Sequence, residues 1–303
     1  MPTSWTDLLD PSIEQLREQL PVEVHVTAIE QLTAPARHGD EPRPKMVSQG
    51  NYVFGVLLVM RVDRERDLVY HQEIDLVLTR DRVVTVRKTP ERGQAFDIAA
   101  LIDVCRRDGH PPGQIAYLLV DEVAEAYLDL VDDLQDEIDE LEDQVEDATN
   151  EQVRNRISDL RHDLLRVRKT LAPTRDAVRQ VVDNRVELDG GGELFPRDVE
   201  LHFGDALDKL LRAADALETS RDLLSGVRDY HQAKVANDQN EVMKVLTVIA
   251  SALLLPTFIV GLYGQNFRHI PELGWAQGYG FSWLLIVLST AAQLAWFRHK
   301  RWI

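Results

Sequence analysis

The stretch that decides the fold is Val245–Tyr263, which reads VLTVIASALLLPTFIVGLY and contains no charged residue. Nineteen residues in an α-helix rise about 28 Å, close to the ~30 Å hydrocarbon thickness of a bilayer. A second uncharged run of 23 residues follows at Trp275–Phe297. The sequence therefore predicts two membrane-spanning helices near its C-terminal end. The alternative is a pair of buried helices in a soluble core.

The charges that flank these runs predict their orientation. Residues 298–301 read RHKR directly after the second run, whereas the segment between the runs holds only Arg268 as a fixed cation. Because basic flanks remain in the cytoplasm, we expect the tail to lie inside. With two spans, the large N-terminal region is then expected inside as well.

The overall charge excludes several classes of function. The 303 residues carry 34 Lys and Arg against 51 Asp and Glu, a formal net charge of -17. Such an excess repels nucleic acid phosphates and attracts cations, so a nucleic-acid-binding role is not expected. The single cysteine, Cys105, forms neither an internal disulfide nor a Cys-rich metal site. The sequence contains no zinc-protease, nucleophile-elbow or phosphate-loop motif, and we expect no enzyme activity.

The N-terminal part has the pattern of a small sheet. β-branched runs separated by short turns predict strands at residues 22–29, 51–62, 68–79 and 82–87. Segment 34–50 contains three prolines and many charges, and it is expected to form a loop. The period becomes helical near Phe96. Residues 1–112 are therefore predicted to form an α/β domain on the cytoplasmic side.

A helical hairpin is predicted over residues 113–190. Apolar residues recur at intervals of four and three from Tyr127 to Val145, and again from Val153 to Leu171. Between these runs, Thr149–Gln152 reads TNEQ, which matches a capping box. The first run is strongly acidic and the second is mainly basic. This segregation fits two solvated faces that complement one another, and it also fits an acidic surface that concentrates cations near a pore.

A long stalk helix is predicted over residues 196–263. Its helical pattern is not interrupted by proline until Pro256, so it would continue into the first span and reach about 100 Å. A helix of that length needs neighbours along its course, which indicates an oligomeric stalk.

The segment between the two spans carries a recognisable motif. Gly264-Gln265-Asn266 follows the first span, and Pro271-Glu272-Leu273 precedes the second. In this setting the motif resembles that of the CorA family of divalent-cation channels, the two-span GxN family that includes the zinc transporter ZntB. Two positions differ from the family pattern. Gln265 stands where methionine is usual, and Pro256 lies one residue nearer to the motif.

The resemblance implies a fold and a domain order. The expected fold is an α+β cytoplasmic domain with a long helical hairpin and a stalk helix, followed by two C-terminal transmembrane helices, in a homopentameric funnel. The external loop with the motif would cover 264–279, the second transmembrane helix 280–297, and the basic cytoplasmic tail 298–303.

The resemblance also implies site residues. Gly264, Gln265 and Asn266 would form the selectivity filter, and Glu272 an acidic ring in the external loop. A regulatory metal would bind Asp205, with Asp97 and Asp229 as further candidates. The predicted pore-lining residues share one face of the stalk helix at helical spacing: Asn240, Met243, Leu246, Ala250, Leu254, Thr257 and Gly261.

The implied function is divalent-cation transport across the inner or plasma membrane. The expected ion is Mg²⁺, with Co²⁺ or Ni²⁺ also carried inward, and cytoplasmic ion binding would gate the flow. The ions, the lipid bilayer and further copies of the chain are the expected partners. One alternative is a ZntB-like, proton-coupled Zn²⁺ transporter, in which His269 is a candidate proton acceptor. Another is a membrane-anchored coiled-coil scaffold without transport.

Overall fold

A computed structural model describes residues 4–37, 39, 41–63, 68–91, 93–190, 193–266 and 270–302 of the chain. Contacts within the chain define two units, Met1–Arg228 and Asp229–Ile303. We call them the N-terminal unit and the membrane unit, and we describe each by itself.

The N-terminal unit is built around a five-stranded sheet of order β1-β5-β4-β3-β2. Strands β2 to β5 form an antiparallel meander, and β1 pairs in parallel with β5 at the edge. The predicted strands 51–62, 68–79 and 82–87 are confirmed as β3, β4 and β5. The strand bounds are β1 Ser4–Leu9, β2 Lys45–Ser48, β3 Val53–Asp63, β4 Leu68–Leu78 and β5 Arg82–Lys88.

The predicted strand at 22–29 is wrong, because the segment contains no strand and its second half, residues 26–29, is helical. Helix α1 covers Ile13–Gln19 and helix α2 covers Val26–Thr33, where the His25 side chain caps the N-terminus by accepting from the Thr27 amide. Ala28 and Leu32 are spaced four residues apart and both are buried. Burial of this helical face overrides the strand preference of the β-branched residues. Strand β2 lies within the segment predicted to be a loop, and β1 was not predicted.

Helices α1 and α2 cover one face of the sheet, where Leu16 and Leu32 pack in a core with Phe54, Val77 and Val86. The other face packs against helices from the remainder of the N-terminal unit, with apolar residues of β3 to β5 in one continuous core with them. These helices are α3 Ala99–Asp108, α4 Pro112–Gln144, α5 Asn150–Val182 and α6 Arg197–Tyr263, the last of which extends into the membrane unit.

A buried ion cluster lies on the α1/α2 side of the sheet. Lys88 Nζ is 2.6 Å from Glu73 Oε1 and 3.0 Å from Asp75 Oδ2, and it donates to the Gln31 carbonyl oxygen at 2.6 Å. Burial raises the pKa of both carboxyl groups, that of Asp75 to about 8, and the charge of Glu73 adds to the shift at Asp75. Asp75 is therefore mainly protonated at neutral pH, and Lys88 is balanced by Glu73.

The predicted helical hairpin is present as α4 and α5. Its predicted seam is buried almost throughout, from Tyr127 to Val145 and from Val153 to Leu171. Thr149 forms the predicted capping box with Gln152 at the start of α5. Near the turn Arg156 pairs with Glu137. The helices are therefore antiparallel, as the sequence indicates. The domain boundaries drawn from the sequence remain a prediction.

The membrane unit contains the second part of α6, a short 3-10 helix at Pro271–Gly274 and helix α7 at Gly278–His299. The long predicted helix is confirmed as α6, which has 67 residues and contains Pro256 in its interior. Both α6 and α7 are long and apolar enough to cross a membrane, and little of either apolar stretch is buried.

Candidate ion-conduction and regulatory sites

The apolar part of α6 has two kinds of face. Val248 and Ile259 are buried, and Ser251, Ala252 and Leu255 are half-buried, which gives one stripe at spacings of three and four. The residues predicted to line a pore lie outside this stripe and are exposed in the single chain. Met243 is 57% exposed, Leu246 56% and Leu254 71%. Asn240, Ala250, Thr257 and Gly261 are exposed as well.

Thr257 is the polar side chain among the predicted pore-lining residues within the apolar stretch. Its hydroxyl donates to the Leu253 carbonyl oxygen at 2.7 Å. A hydroxyl that donates to its own helix still has oxygen lone pairs to offer. Thr257 can therefore accept a hydrogen bond from a hydrated ion without losing its bond to the backbone.

The GxN motif begins where α6 ends. The Gly264 amide donates to the Val260 carbonyl oxygen at 2.9 Å, which closes the final turn of the helix. A Cβ atom at residue 264 would lie 3.1 Å from that oxygen, a closer approach than most side chains tolerate. The turn therefore favours glycine because of close backbone approach, and Gly264 has no positive φ. Gln265 and Asn266 follow with exposed side chains.

The segment after the motif is described only from Ile270 onward, so Arg268 and His269 lie outside the described residues. Glu272 belongs to the 3-10 helix, and its side chain is half-buried. A Cβ atom at Gly278 would collide with the Glu272 carbonyl oxygen, so the start of α7 packs directly on the backbone of this helix. This contact fixes the backbone of Glu272 relative to α7.

Asp205 is exposed on α6, beside charged residues of α4. One helical turn further along, Lys209 Nζ lies 2.8 Å from Asp121 Oδ1 and 3.0 Å from Glu125 Oε2. Burial raises the pKa of Tyr117, and the carboxylates of Asp121 and Asp205 add to that shift. The predicted regulatory residue therefore lies near a mixed charge cluster, in which Lys209 offsets part of the negative charge of Asp121 and Glu125.

Asp121, Glu125 and Lys209 were not identified from the sequence. The only signal was the spacing of the two acids, one turn apart on a helix that carries many other acidic residues. Their proximity to Asp205 depends on how α4 and α6 pack, which no local pattern specifies.

The other two regulatory candidates are not brought together with Asp205. Asp97 Oδ1 accepts from the Ala99 amide at 2.9 Å, where it stabilises the start of α3. Asp229 belongs to the membrane unit. Among the described residues, no three His, Cys, Asp or Glu side chains form a cluster that could hold a metal ion. The predicted site between subunits stays a prediction.

Comparison with known proteins identifies the family. A family model for the CorA-like Mg2+ transporter protein matches residues 3–301. The chain belongs to the CorA family. It is 30% identical over 269 residues to the cobalt/magnesium transport protein CorA of Thermotoga maritima, an alignment that covers 86% of this chain and 73% of the relative.

Solved CorA-family structures share the fold. The complete structure of the CorA magnesium transporter from Methanocaldococcus jannaschii matches with a TM-score of 0.80 at 20% identity, covering 99% of this chain and 91% of that one. The ZntB cytoplasmic domain from Vibrio parahaemolyticus matches with a TM-score of 0.54 at 16% identity, covering 78% of this chain and 90% of that one.

Family membership confirms several predictions from the sequence. The protein is a membrane protein with two C-terminal transmembrane helices, α7 and the apolar part of α6. It is a divalent metal transporter of the CorA family, not an enzyme. Magnesium and cobalt are transported substrates in this family and not cofactors.

Proposed function

We propose that this chain forms a homopentameric channel for hydrated Mg²⁺, which also admits Co²⁺ or Ni²⁺. Five copies of α6 line the pore, and the α7 helices lie outside them in the inner or plasma membrane. The ions enter the cell at a ring formed by the Gly264-Gln265-Asn266 motif. Chain boundaries at residues 112, 190, 263, 279 and 297 separate the parts of this assembly.

The single observation that carries the proposal is the uncovered face of α6. Its exposed residues run at helical spacing from Met243 to Gly261 and lead to Asn266. After Lys244, α6 contains no further charged residue. A face of this kind in one chain is suited to meeting its own copies around an axis.

The chemistry of the exposed face suits a hydrated divalent ion. Magnesium dehydrates reluctantly and usually keeps several waters, so neutral oxygens that bond to those waters select it without removing them. Asn266, Thr257 and Asn240 supply such oxygens. Leu246, Leu254 and Met243 form apolar collars between them, where the pore closes by losing water. Glu272, repeated around the axis, raises the local cation concentration at the entrance.

The charge distribution sets orientation and gating. The basic tail at 298–301 supports an orientation with both chain ends in the cytoplasm. There, internal Mg²⁺ held by Asp205 and an acid of the neighbouring subunit, for which Asp97 is the candidate, keeps the acidic subunits together and the pore closed. Asp229, further along α6, is a second candidate for the stalk ligand. Loss of the ion leaves like charges facing each other, which separates the subunits and opens the pore.

Flux into proteoliposomes tests the channel. We expect uptake of Mg²⁺, Co²⁺ and Ni²⁺ without a pH gradient, and loss of most of that uptake in Asn266→Ala, because the variant removes the ring of amide oxygens. Asn155→Ala, which truncates an exposed asparagine of α5, is the matched control and keeps full uptake. Zn²⁺ uptake that requires a pH gradient would instead identify a proton-coupled zinc transporter. Full activity of Asn266→Ala would point to a scaffold.

Internal Mg²⁺ tests the gate in the same vesicles. Asp205→Asn removes a carboxylate ligand, so we expect uptake to continue at internal Mg²⁺ concentrations that stop the unmodified protein. Asp208→Asn, which changes another exposed acid of α6, keeps normal inhibition. Unchanged inhibition of Asp205→Asn would remove this residue from the gate.

A further inference from the structure

Pro256 creates a gap in the hydrogen bonding of α6 at membrane depth. Proline has no amide hydrogen, so the carbonyl oxygen of Ala252, four residues earlier, has no α-helical donor. In a bilayer each such group must find another partner within the protein, because no water is available in the hydrocarbon. Ala252 is half-buried, on the stripe of α6 that includes the buried Val248 and Ile259.

The hydroxyl groups nearest to this gap on α6 are already engaged. Thr257 donates to the Leu253 carbonyl oxygen at 2.7 Å, and Ser251 donates to the Val248 carbonyl oxygen at 3.1 Å. Each hydroxyl has one hydrogen to donate. Neither side chain is therefore a donor for Ala252 in this arrangement.

Helix α7 brings an amide to the same place. Gln293 lines a cavity of about 470 Å³ together with Ser251, Leu255 and Phe258, the residues that surround Pro256 on α6. Gln293 Oε1 is buried and has no hydrogen-bond partner in the part of the chain that the structure describes. The Gln293 carboxamide has two N–H donors and an acceptor oxygen. An N–H can pair with the Ala252 carbonyl oxygen, and the oxygen can accept from the Ser251 hydroxyl.

We infer that Gln293 is a positioning residue for the proline break of the pore helix. Its Nε2 donates to the Ala252 carbonyl oxygen through one water held at the cavity, and its Oε1 accepts from the Ser251 hydroxyl when that group turns away from its own helix. The amide thereby ties α7 to α6 at the level of Pro256. It also fixes the angle between the two parts of α6 on either side of Pro256, and so the direction of the part that leads to Asn266.

A double-mutant cycle with Pro256 tests this inference on the full-length protein. Gln293→Leu should raise the unfolding equilibrium constant in mixed SDS and maltoside micelles by roughly three- to tenfold, the range for polar contacts between membrane helices. Pro256→Ala restores an amide donor for Ala252. In that background, Gln293→Leu should change the constant by less than about twofold, because the carbonyl no longer needs the carboxamide.

Two further variants keep the test decisive. Gln293→Met preserves the length of the side chain without its amide, and it replaces Gln293→Leu if that protein does not fold. Gln293→Asn retains the amide and should recover part of the loss. Ser289→Ala is the matched control, because Ser289 lies half-buried on α7 and donates within α7 to the Ile286 carbonyl oxygen at 3.1 Å. It should show no coupling to Pro256.

An equal effect of Gln293→Leu in both backgrounds, or no effect in either, would overturn the assignment. The inference uses the proposed function only in calling α6 the pore helix. The unfolding measurement requires no ion transport, so the coupling can be found in a protein that fails the flux assay. An active channel can equally show no coupling, which would refute this assignment and leave the channel intact.

Discussion

The N-terminal unit and the membrane unit differ in what covers their apolar side chains. In the N-terminal unit, apolar residues of the sheet and of α4 to α6 cover one another, and side chains such as Leu57 and Ile74 are fully buried. In the membrane unit, α6 and α7 leave most of their apolar residues exposed, Phe258 to 66%. The N-terminal unit buries its apolar side chains within a single chain. The other requires lipid and, in our proposal, further copies.

The strongest test of this difference makes the same substitution in both units. Phe203 is fully buried in the N-terminal unit, with its ring edge against Phe195 at a centroid distance of 5.3 Å. Phe203→Ala should cost about 3–5 kcal/mol of the free energy of unfolding because it opens a cavity. Phe258→Ala should leave the stability of the N-terminal unit unchanged, since lipid or a neighbouring copy refills the space. Calorimetry of the solubilised full-length chain measures both, and equal shifts would contradict the comparison.

A second test uses the free-energy cost of burying an ionised carboxylate, which arises only where the protein interior excludes water. The buried Asp75 has a pKa of about 8 in the folded protein, against about 3.9 for an unfolded aspartate. Between these values the native state keeps a proton that the unfolded state has lost. Stability should therefore fall as the pH rises from about 4 to 8, by on the order of a few kcal/mol, and change little from this group outside that window.

The variant Asp75→Asn isolates this group. It keeps a neutral side chain at all these pH values, so the part of the decline in stability that comes from Asp75 should disappear, while the raised pKa of Glu73 leaves a smaller decline. Asp208→Asn, at an exposed position of α6, serves as the control and should retain the full decline. Denaturant unfolding across this pH range gives the measurement. A slope in Asp75→Asn as steep as in the unmodified protein would assign the pH dependence to other groups.

The smallest effect is expected where local hydrogen bonds matter more than packing. The Gln152 amide donates to Thr149 Oγ1 at 3.4 Å, and the Thr149 amide donates to Gln152 Oε1 at 3.1 Å. Thr149→Ala removes the cap of α5 and should cost about 1 kcal/mol. It should also speed hydrogen exchange in the first turn of that helix. Thr219→Ala, inside α6 and without a capping role, should have little effect on either measurement.

The sequence predicted well where a regular period extends over many residues. The seam from Tyr127 to Val145 and the uncharged run from Val245 to Tyr263 each repeat one signal several times, so single exceptions do not hide it. Both are helical in the structure, and the seam is buried. Gly264 and Asn266 could be recognised because a Gly-x-Asn tripeptide, unspecific by itself, becomes a specific signal when it lies between two predicted spans.

The failures came from short elements whose conformation depends on distant partners. Residues 26–29 have strand-like composition and become helical because Ala28 and Leu32 meet the sheet. Strand β1 depends on β5, which lies more than 70 residues away in the chain. The proximity of Asp205 to Asp121 and the placement of Gln293 beside Pro256 are likewise consequences of packing between helices. Neither placement has a local signature in the sequence, although the sequence does show the Gln293 amide within the uncharged run 275–297.

The parallel strand β1 also affects the order in which the sheet can assemble. Strands β2 to β5 can join through neighbouring turns, whereas β1 must wait for β5 to be made and then close a loop of more than 70 residues. Until it docks, β5 presents an unpaired edge, and Arg87 lacks its carboxylate partner Asp7. Nascent chains are thus most exposed to self-association during that interval. A short peptide that copies residues 4–9 would act as a competitor for the vacant edge.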